Sequence, residues 1–238
     1  MDHRVNVEGI SNLLEQISGT DVRLVHLSID LVFSGTKGGG HLEDDPTDPV
    51  TVYGKTMVMA EQCVMNLCPE SAILRISLPM GVSYNGHAGA IDWIQNRFKH
   101  NRPATLYFDE VRTPTYTDCM NDLFEIMLAG DYSGIYHAGG RIRLSLYEIA
   151  QIVNRVGGYD SRWLDGCYRM QAGPLPPRAG NVTLNSDKIA RTVGFDPFLP
   201  WPFHPEFIPT HRDWHKERGG GIDGSPGLLA ETLYRTPI

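Results

Sequence analysis

The chain has 238 residues, 41% of them hydrophobic, and a formal net charge of −7. This composition is ordinary for a globular protein, and the charge excludes a uniformly basic nucleic-acid-binding surface. No apolar stretch reaches the length of a membrane span, and the first residues do not form a signal-peptide pattern. The four cysteines lack zinc-type pairing and indicate free thiols in a reducing compartment. We therefore predict a cytoplasmic protein that binds neither nucleic acid nor membranes.

Helical and strand patterns alternate along the chain as far as residue 193. Ile10, Leu13, Leu14 and Ile17 form one apolar helical face, and Ser145 and Glu148 have the spacing of a capping box. Strands are predicted over 23–27, 72–77, 104–108 and 134–137. Further helices are predicted over about 52–67, 91–98, 120–128 and 187–193, and from 146 onward. The alternation favours an α/β layer fold with a mostly parallel sheet.

Two stretches lack such a pattern. Residues 35–49 are rich in Gly, Asp and Pro, and their GTKGGG run lacks the G-x-G-x-x-G spacing of a dinucleotide fingerprint. We predict a flexible loop there. From residue 196 onward the chain is rich in Pro, Trp and Gly. We expect an extended tail that is partly disordered or packs through four aromatic residues, Phe198, Trp201, Phe203 and Trp214.

The stretch from His26 to Glu61 carries the pattern that indicates chemistry. Residues 26–35 read HLSIDLVFSG, a buried strand that leads into a loop. Residues 49–61 read PVTVYGKTMVMAE, and the predicted helix carries Tyr53 in its first turn. This arrangement resembles the catalytic centre of extended short-chain dehydrogenases. It is most similar to the dTDP-4-dehydrorhamnose reductase family.

Six further stretches resemble the same family, and their order and spacing together are fairly specific. They are 5–14 (VNVEGISNLL), 74–77 (LRIS), 112–116 (RTPTY), 134–137 (GIYH), 145–150 (SLYEIA) and 178–184 (RAGNVTL).

The resemblance implies an α/β fold with two domains. Residues 1–79 would form part of a Rossmann-type parallel sheet whose first βαβ half is missing, so that the chain would be truncated at its N-terminus. Residues 80–205 would mainly form a smaller α/β domain that binds the sugar nucleotide, and segment 128–155 could return to the Rossmann side. Residues 206–238 would form a tail rich in Pro and Gly.

The resemblance also implies catalytic roles for Tyr53 and Ser28. Tyr53 takes the place of the family's acid, which protonates the oxygen that develops negative charge. A tyrosine ordinarily has a pKa of about 10, so a nearby cation usually lowers it. The family's lysine for this task matches Met57, and Lys55 would point to another side of the helix. The family's substrate-orienting hydroxyl matches Ile29, and the adjacent Ser28 would face the opposite side of a regular strand.

Four residues are implied to bind the substrate. Arg112 and Arg178 would clamp the diphosphate of a nucleotide sugar, because guanidinium groups suit phosphate oxygens. Asn181 would contact the substrate or simply stop a turn, and Arg75 ends a buried strand, where a structural role is the stronger expectation. Three histidines near the C-terminus, His204, His211 and His215, lack a carboxylate partner pattern, so we predict no metal site.

The activity that the resemblance implies is reduction of a 4-keto sugar nucleotide, such as dTDP-4-dehydrorhamnose, by NADPH or NADH. Without a glycine-rich turn before a helix, binding of NADP or NAD would be weak. One alternative is a non-catalytic binding or regulatory subunit similar to the methionine adenosyltransferase beta subunit, and another is an inert truncated product. The strand at 23–27 would lack a neighbour, which predicts a homo-oligomer or a partner that covers the sheet edge.

Overall fold

The structure is a computed structural model that describes residues 3–81, 83, 89, 91–217 and 224–234. The α-helices of the described chain are α1 (Ile10–Ile17), α2 (Val52–Leu67), α3 (Asp92–Lys99), α4 (Thr117–Ala129), α5 (Leu146–Val156), α6 (Asp187–Val193) and α7 (Pro226–Leu233). Its strands are β1 (Val25–Ile29), β2 (Ala72–Ile76), β3 (Pro79–Met80), β4 (Ala104–Tyr107), β5 (Val111–Arg112), β6 (Thr115–Tyr116), β7 (Gly134–Ala138), β8 (Leu144–Ser145) and β9 (Leu164–Cys167). The predicted α/β class is confirmed.

The chain divides into two compact units, each built from three segments. Unit 1 comprises Met1–Ser77, Asn121–Gly139 and Leu175–Pro197, and unit 2 comprises Leu78–Met120, Gly140–Pro174 and Phe198–Ile238. The first predicted boundary, after residue 79, lies close to the one after Ser77, and the segment expected to return to the first domain was 128–155, whereas the observed one is Asn121–Gly139. Two later segments return to unit 1, and the residues after 197 join unit 2 instead of forming a separate tail. No helix in the described ranges combines the length and the hydropathy needed to cross a membrane.

Unit 1 contains a three-stranded parallel sheet in the order β1-β2-β7. The register is regular from Val25 opposite Ala72 to Ile29 opposite Ile76, so β1 carries no bulge against β2. Successive residues of β1 therefore face opposite sides of the sheet. The observed strand lies two residues further along the chain than predicted. In the described chain β1 is an outer strand, and a partner that covers its edge remains a prediction.

Helix α2 has the predicted bounds and begins close to the end of β1. The Thr51 hydroxyl accepts a hydrogen bond from the backbone N–H of Gly54 at 2.9 Å and so caps the helix. A Cβ at Gly54 would collide with the carbonyl oxygen of Leu31. Glycine at this position therefore lets the first turn of α2, with Tyr53, pack directly against the turn that follows β1.

Unit 2 is built on short strand pairs and on helix α5. β3 pairs with β6 and β4 with β9, both parallel, while β5 and β8 are antiparallel. The predicted capping box at the start of α5 is confirmed. The Ser145 hydroxyl accepts from the Glu148 backbone N–H at 3.1 Å, and the Ser145 N–H donates to the Glu148 carboxylate at 2.6 Å. These bonds fix the start of the helix whose apolar face packs into the unit.

Of the two alternatives predicted for the residues after 196, packing through aromatic side chains is the one that the described residues show, and the segment also contains helix α7. Three of the four aromatic residues named for packing are buried, while Phe203 is 49% exposed. The indole N–H of Trp201 donates to the carbonyl of Leu233 at 3.2 Å, which ties helix α7 to this segment. Helix α7 escapes the sequence patterns because Pro226 and Gly227 occupy its first turn. Proline is nevertheless favourable at the first position of a helix. A residue there has no helical acceptor for its backbone N–H, so the N–H that proline lacks is not missed.

Residues 35–49 form a loop, as predicted, and several contacts hold it against other parts of unit 1. His41 forms a parallel bridge with Leu184, and its backbone N–H donates to the carbonyl of Thr183 at 2.9 Å. Its ring stacks on Phe33 at a centroid distance of 4.0 Å. Thr183 and Leu184 lie far along the chain, so the local composition of the loop could not reveal these two contacts.

Candidate functional site

Tyr53 stands in the exposed part of the first turn of α2. It is 42% exposed, and its backbone carbonyl accepts a hydrogen bond from the Thr56 hydroxyl at 2.8 Å. The residue is therefore partly open to solvent, in a helix turn that packs against the turn after β1. An accessible hydroxyl of this kind can donate a proton to a bound oxygen.

The two positions that match the family's lysine and hydroxyl residue belong to one apolar cluster of unit 1. This cluster, called the apolar cluster below, consists of seven residues. Six are buried, namely Val32, Phe33, Met57, Ala179, Val182 and Leu184, and Ile29 packs against them. Met57 is only 6% exposed, whereas Lys55 is exposed on another side of α2. Neither Met57 nor Ile29 can offer a charge or a hydrogen bond at this place.

Ser28 belongs to a different environment, a buried polar cluster. We use this name for Ser28, Glu43, Glu61, Arg75 and His137, all of which are buried. The Ser28 hydroxyl donates to the carboxylate of Glu61. Because the β1 register is regular, the hydroxyl points into the core and away from Ile29. In this position Ser28 stabilises a buried carboxylate.

Arg75 is the cation of the polar cluster. Its Nε donates to Glu61 Oε1 at 2.9 Å and its Nη2 to Glu61 Oε2 at 2.8 Å, a bidentate ion pair. Its Nη1 donates to the carbonyl of Glu43 at 3.3 Å. The guanidinium also lies 5.2 Å from the centre of the Phe33 ring. A structural role was the stronger expectation for Arg75, and these core partners agree with it.

His137 completes the polar cluster as a neutral side chain. Its backbone N–H donates to the Glu43 carboxylate at 2.9 Å, and its Nδ1 lies 3.0 Å from the carbonyl of His41. Burial, and then the neighbouring Arg75 guanidinium, lower the pKa of His137 to about 3. Burial likewise lowers the pKa of His41 and of His26. Charged histidines are therefore disfavoured in this part of unit 1.

The other named substrate-binding residues belong to both units. Asn181 donates from Nδ2 to the carbonyl of Gly38 at 2.7 Å and accepts from the Thr183 hydroxyl at 2.8 Å, which ties down the loop. Arg178 is exposed in the same segment of unit 1. Arg112 belongs to unit 2 and is only 7% exposed. Its Nη2 lies 3.7 Å from the buried carboxylate of Glu110.

Sequence reasoning missed Glu61 and His137 as buried partners, and it missed a cavity in unit 2 beside Phe108, Tyr168 and Arg212. One available signal for the cavity was the spacing of Tyr147, Gln151 and Arg155 on one face of α5, discussed below. Among the described residues, no group of three or more His, Cys, Asp or Glu side chains converges as a metal site would require.

Comparisons with known proteins agree with the resemblance seen in the sequence. The model of the RmlD substrate binding domain family matches residues 1–202. The chain is 28% identical over 203 residues to dTDP-4-dehydrorhamnose reductase of Mycolicibacterium smegmatis, covering 84% of this chain and 61% of that protein. It is 24% identical over 214 residues to methionine adenosyltransferase 2 subunit beta of Danio rerio, covering 84% of this chain and 65% of that one. The chain thus spans less than two thirds of the length of these relatives.

Solved structures show the same fold. A crystal structure of dTDP-4-dehydrorhamnose reductase from Bacillus anthracis in complex with NADP superposes with a TM-score of 0.73 at 22% identity. The match covers 82% of this chain and 67% of that chain. At this identity the similarity concerns the fold.

Proposed function

Because this chain belongs to the RmlD substrate binding domain family, we propose that it acts in the reduction of a 4-keto sugar nucleotide, with dTDP-4-dehydrorhamnose as the reference substrate. The observation that carries the proposal is Tyr53. It is a half-exposed phenol in the first turn of α2, beside the end of β1, within the stretch that matches the family. The chain would bind NADPH or NADH and a nucleotide sugar.

In the proposed reaction, Tyr53 supplies the proton. NADPH or NADH, when bound, supplies a hydride to the keto carbon. The Tyr53 hydroxyl donates its proton to the oxygen that becomes the new alcohol, so that no full negative charge builds up on it. Arg112 and Arg178 are the proposed ligands of the substrate diphosphate, and Asn181 is the proposed contact to the sugar.

The glycine-rich run of residues 35–40 does not fit the pyrophosphate of the cofactor. A Cβ at Gly35 or Gly39 would collide with Gly180 or Asn181, so these glycines allow the chain to pack on itself. The next helix, α2, begins only at Val52 and is capped by Thr51. A pyrophosphate cradle needs free backbone N–H groups at a helix N-terminus, which this loop does not offer. We therefore assign no pyrophosphate ligand.

A second candidate function is supported by the apolar cluster. Ile29 and Met57 replace the two polar groups that would serve Tyr53, and Ser28 donates to Glu61 in the core. A protein that binds a sugar nucleotide without reducing it needs neither polar group. This second candidate is a non-catalytic or regulatory subunit, and the relative named methionine adenosyltransferase 2 subunit beta supports it.

A paired assay separates the two candidates. NADPH and NADH oxidation is measured with dTDP-4-dehydrorhamnose, and binding of dTDP-rhamnose is measured by calorimetry on the same protein. A reductase turns over, and Tyr53→Phe lowers its rate by about 100-fold or more, while the control Tyr132→Phe does not. Binding without turnover supports the second candidate. If neither binding nor turnover is found, both candidates are wrong.

The variants Met57→Lys, Ile29→Thr and their combination sharpen this assay. If the protein is a reductase weakened by these two residues, the double variant is faster than either single variant by more than the product of their separate effects. If the wild type already turns over at roughly 1 to 1,000 per second, Tyr53 works without these partners.

A further inference from the structure

Unit 2 contains a cavity of about 290 Å³ with aromatic walls. Phe108 is one of the residues that line it. The ring of Phe108 is 4.7 Å from that of Tyr147 and 5.3 Å from that of Tyr168, with interplanar angles of 69° and 68°. Edge-to-face rings of this kind form a rigid apolar surface against which a flat ring can pack.

Arg212 adds a positive charge to this aromatic wall. Its guanidinium carbon lies 4.2 Å from the centre of the Phe108 ring and 5.5 Å from that of Tyr168. Its Nη2 donates to the Tyr168 hydroxyl at 2.8 Å. A guanidinium carries five N–H donors in a planar fork, a geometry that suits phosphate and carboxylate oxygens. The side chain is exposed, so an incoming anion can reach it.

The backbone that carries Arg212 is held by one face of α5. Tyr147, Gln151 and Arg155 follow each other at intervals of four residues and therefore share this face. The Tyr147 hydroxyl donates to the carbonyl of Arg212 at 2.8 Å, and Gln151 Nε2 donates to the same carbonyl at 2.9 Å. Arg155 Nη1 donates to the carbonyl of Trp214 at 3.3 Å and covers the Trp214 ring at 4.1 Å. The position of Arg212 is thus set before any ligand arrives.

The other charged groups at the cavity are already paired. Glu148 accepts hydrogen bonds from the N–H and the hydroxyl of Ser145 at 2.6 and 2.8 Å, as part of the cap of α5. His211 lies 2.8 Å from the Glu217 carboxylate. The charge of Glu148 is therefore directed to the helix N-terminus, where a carboxylate is stabilised.

We propose that this cavity binds an aromatic anion, with its ring against Phe108, Tyr147 and Tyr168 and its anionic group on Arg212. If the proposed function holds, the ligand is the nucleotide part of the sugar nucleotide, and Arg212 is a specificity-determining residue for it. Arg212 lies beyond residue 202, where the match to the family model ends. The proposed contact between Arg212 and the ligand therefore involves a residue outside the region that the family model matches.

Phenyl phosphate is the test probe, because it joins a single aromatic ring to a phosphate. Phenol and inorganic phosphate, which each carry only one of the two features, are the comparison ligands. Binding to the full chain is measured by calorimetry and by ligand-observed NMR. We expect phenyl phosphate to bind at least 10-fold more tightly than either comparison ligand. Equal binding of all three, or no binding of phenyl phosphate, would overturn the proposal.

Two variants locate the site. Arg212→Ala should weaken phenyl phosphate binding about 10-fold or more, and Tyr168→Leu should weaken it as well. Arg162→Ala is the matched control, since Arg162 is also an exposed arginine of unit 2 that lies over an aromatic ring, that of Trp163 at 5.4 Å. It should change binding by less than twofold. Unchanged binding in Arg212→Ala, with the fold verified by circular dichroism, would overturn the proposal.

Titration of dTDP-rhamnose into the same variants separates this inference from the proposed function. If phenyl phosphate binds through Arg212 but dTDP-rhamnose does not bind, the aromatic-anion site stands and the sugar-nucleotide function is wrong. If dTDP-rhamnose binds equally well to the wild type and to Arg212→Ala, the proposed function stands and the assignment of the nucleotide part to this cavity is wrong.

Discussion

Ser28 and Ile29 are neighbours on β1, yet they belong to clusters of opposite character. Ser28 donates into the polar cluster, where Glu61 and Arg75 form a bidentate ion pair with almost no exposure to solvent. Ile29 packs on the apolar cluster with Met57. The difference shows that in this chain the polar side of β1 serves folding. The positions that match the family's catalytic partners lie on the apolar side.

The two clusters should respond differently to substitution. A buried ion pair contributes little net stability but becomes costly when one partner is removed, because the remaining charge stays buried. An apolar cluster mainly requires that volume be conserved and that no charge be introduced. The predictions below test this contrast through the free energy of unfolding.

The largest effect is expected for Glu61→Gln. The substitution keeps the shape of the side chain but leaves Arg75 as an unpaired buried cation, so it should cost about 3–5 kcal/mol in urea unfolding. Asp131→Asn is the matched control, since Asp131 forms an exposed ion pair with Arg23. It should cost less than about 1 kcal/mol. Similar losses for both variants would show that the polar cluster is not a paired buried network.

Acid should destabilise the protein through His137. Its folded-state pKa of about 3 lies below the ordinary 6.5, so the unfolded chain takes up a proton that the folded chain resists. The stability contribution is therefore complete above pH 6.5 and is lost as the pH falls towards 3. Between about pH 6.5 and 4.5 the loss from this residue should be about 2 kcal/mol.

The check is the slope of unfolding free energy against pH. His137→Gln should flatten this slope, while the same change at the exposed His100 should leave it unaltered. The lowered pKa values of His41 and His26 act in the same direction, so part of the slope should remain. A slope that does not change in His137→Gln would contradict a buried neutral His137.

Met57→Lys tests the apolar cluster. A lysine introduced at this buried position must either lose hydration or distort the helix to reach water, so the cost should be about 1–3 kcal/mol. Met57→Leu conserves the volume and should cost less than about 1.5 kcal/mol. If Met57→Lys leaves the free energy of unfolding unchanged, the apolar cluster offers the lysine a polar partner or a path to water.

The smallest effect is expected for Ser28→Ala. It removes one hydrogen bond, but Glu61 keeps two N–H donors from Arg75, so the loss should be about 1 kcal/mol. The control is Ser18→Ala, because the Ser18 hydroxyl bonds the carbonyl of Leu67 at an exposed site. A loss of more than about 3 kcal/mol at Ser28 would mean that its hydroxyl organises the whole polar cluster.

Local sequence patterns were sufficient to predict most of the helices and strands. The bounds of α2 and α6 and the capping box of α5 agree with the structure because hydrophobic spacing and caps are short-range signals. The contacts that hold the loop at residues 35–49 could not be predicted, because its partners lie in residues 180–185. Helix α7 was missed because its first residues, Pro and Gly, are typical of turns.

The sequence by itself determined the family motif, the place of Tyr53 in the first turn of α2 and the replacement of its two polar partners by Met57 and Ile29. Only the tertiary structure decided that these two residues meet in one cluster, that Ser28 donates to Glu61, and that Arg212 lies over Phe108. The physical reason is that spacing along a helix or strand fixes which face a side chain occupies. The group it meets there depends on segments distant in the chain, whose approach no local pattern encodes.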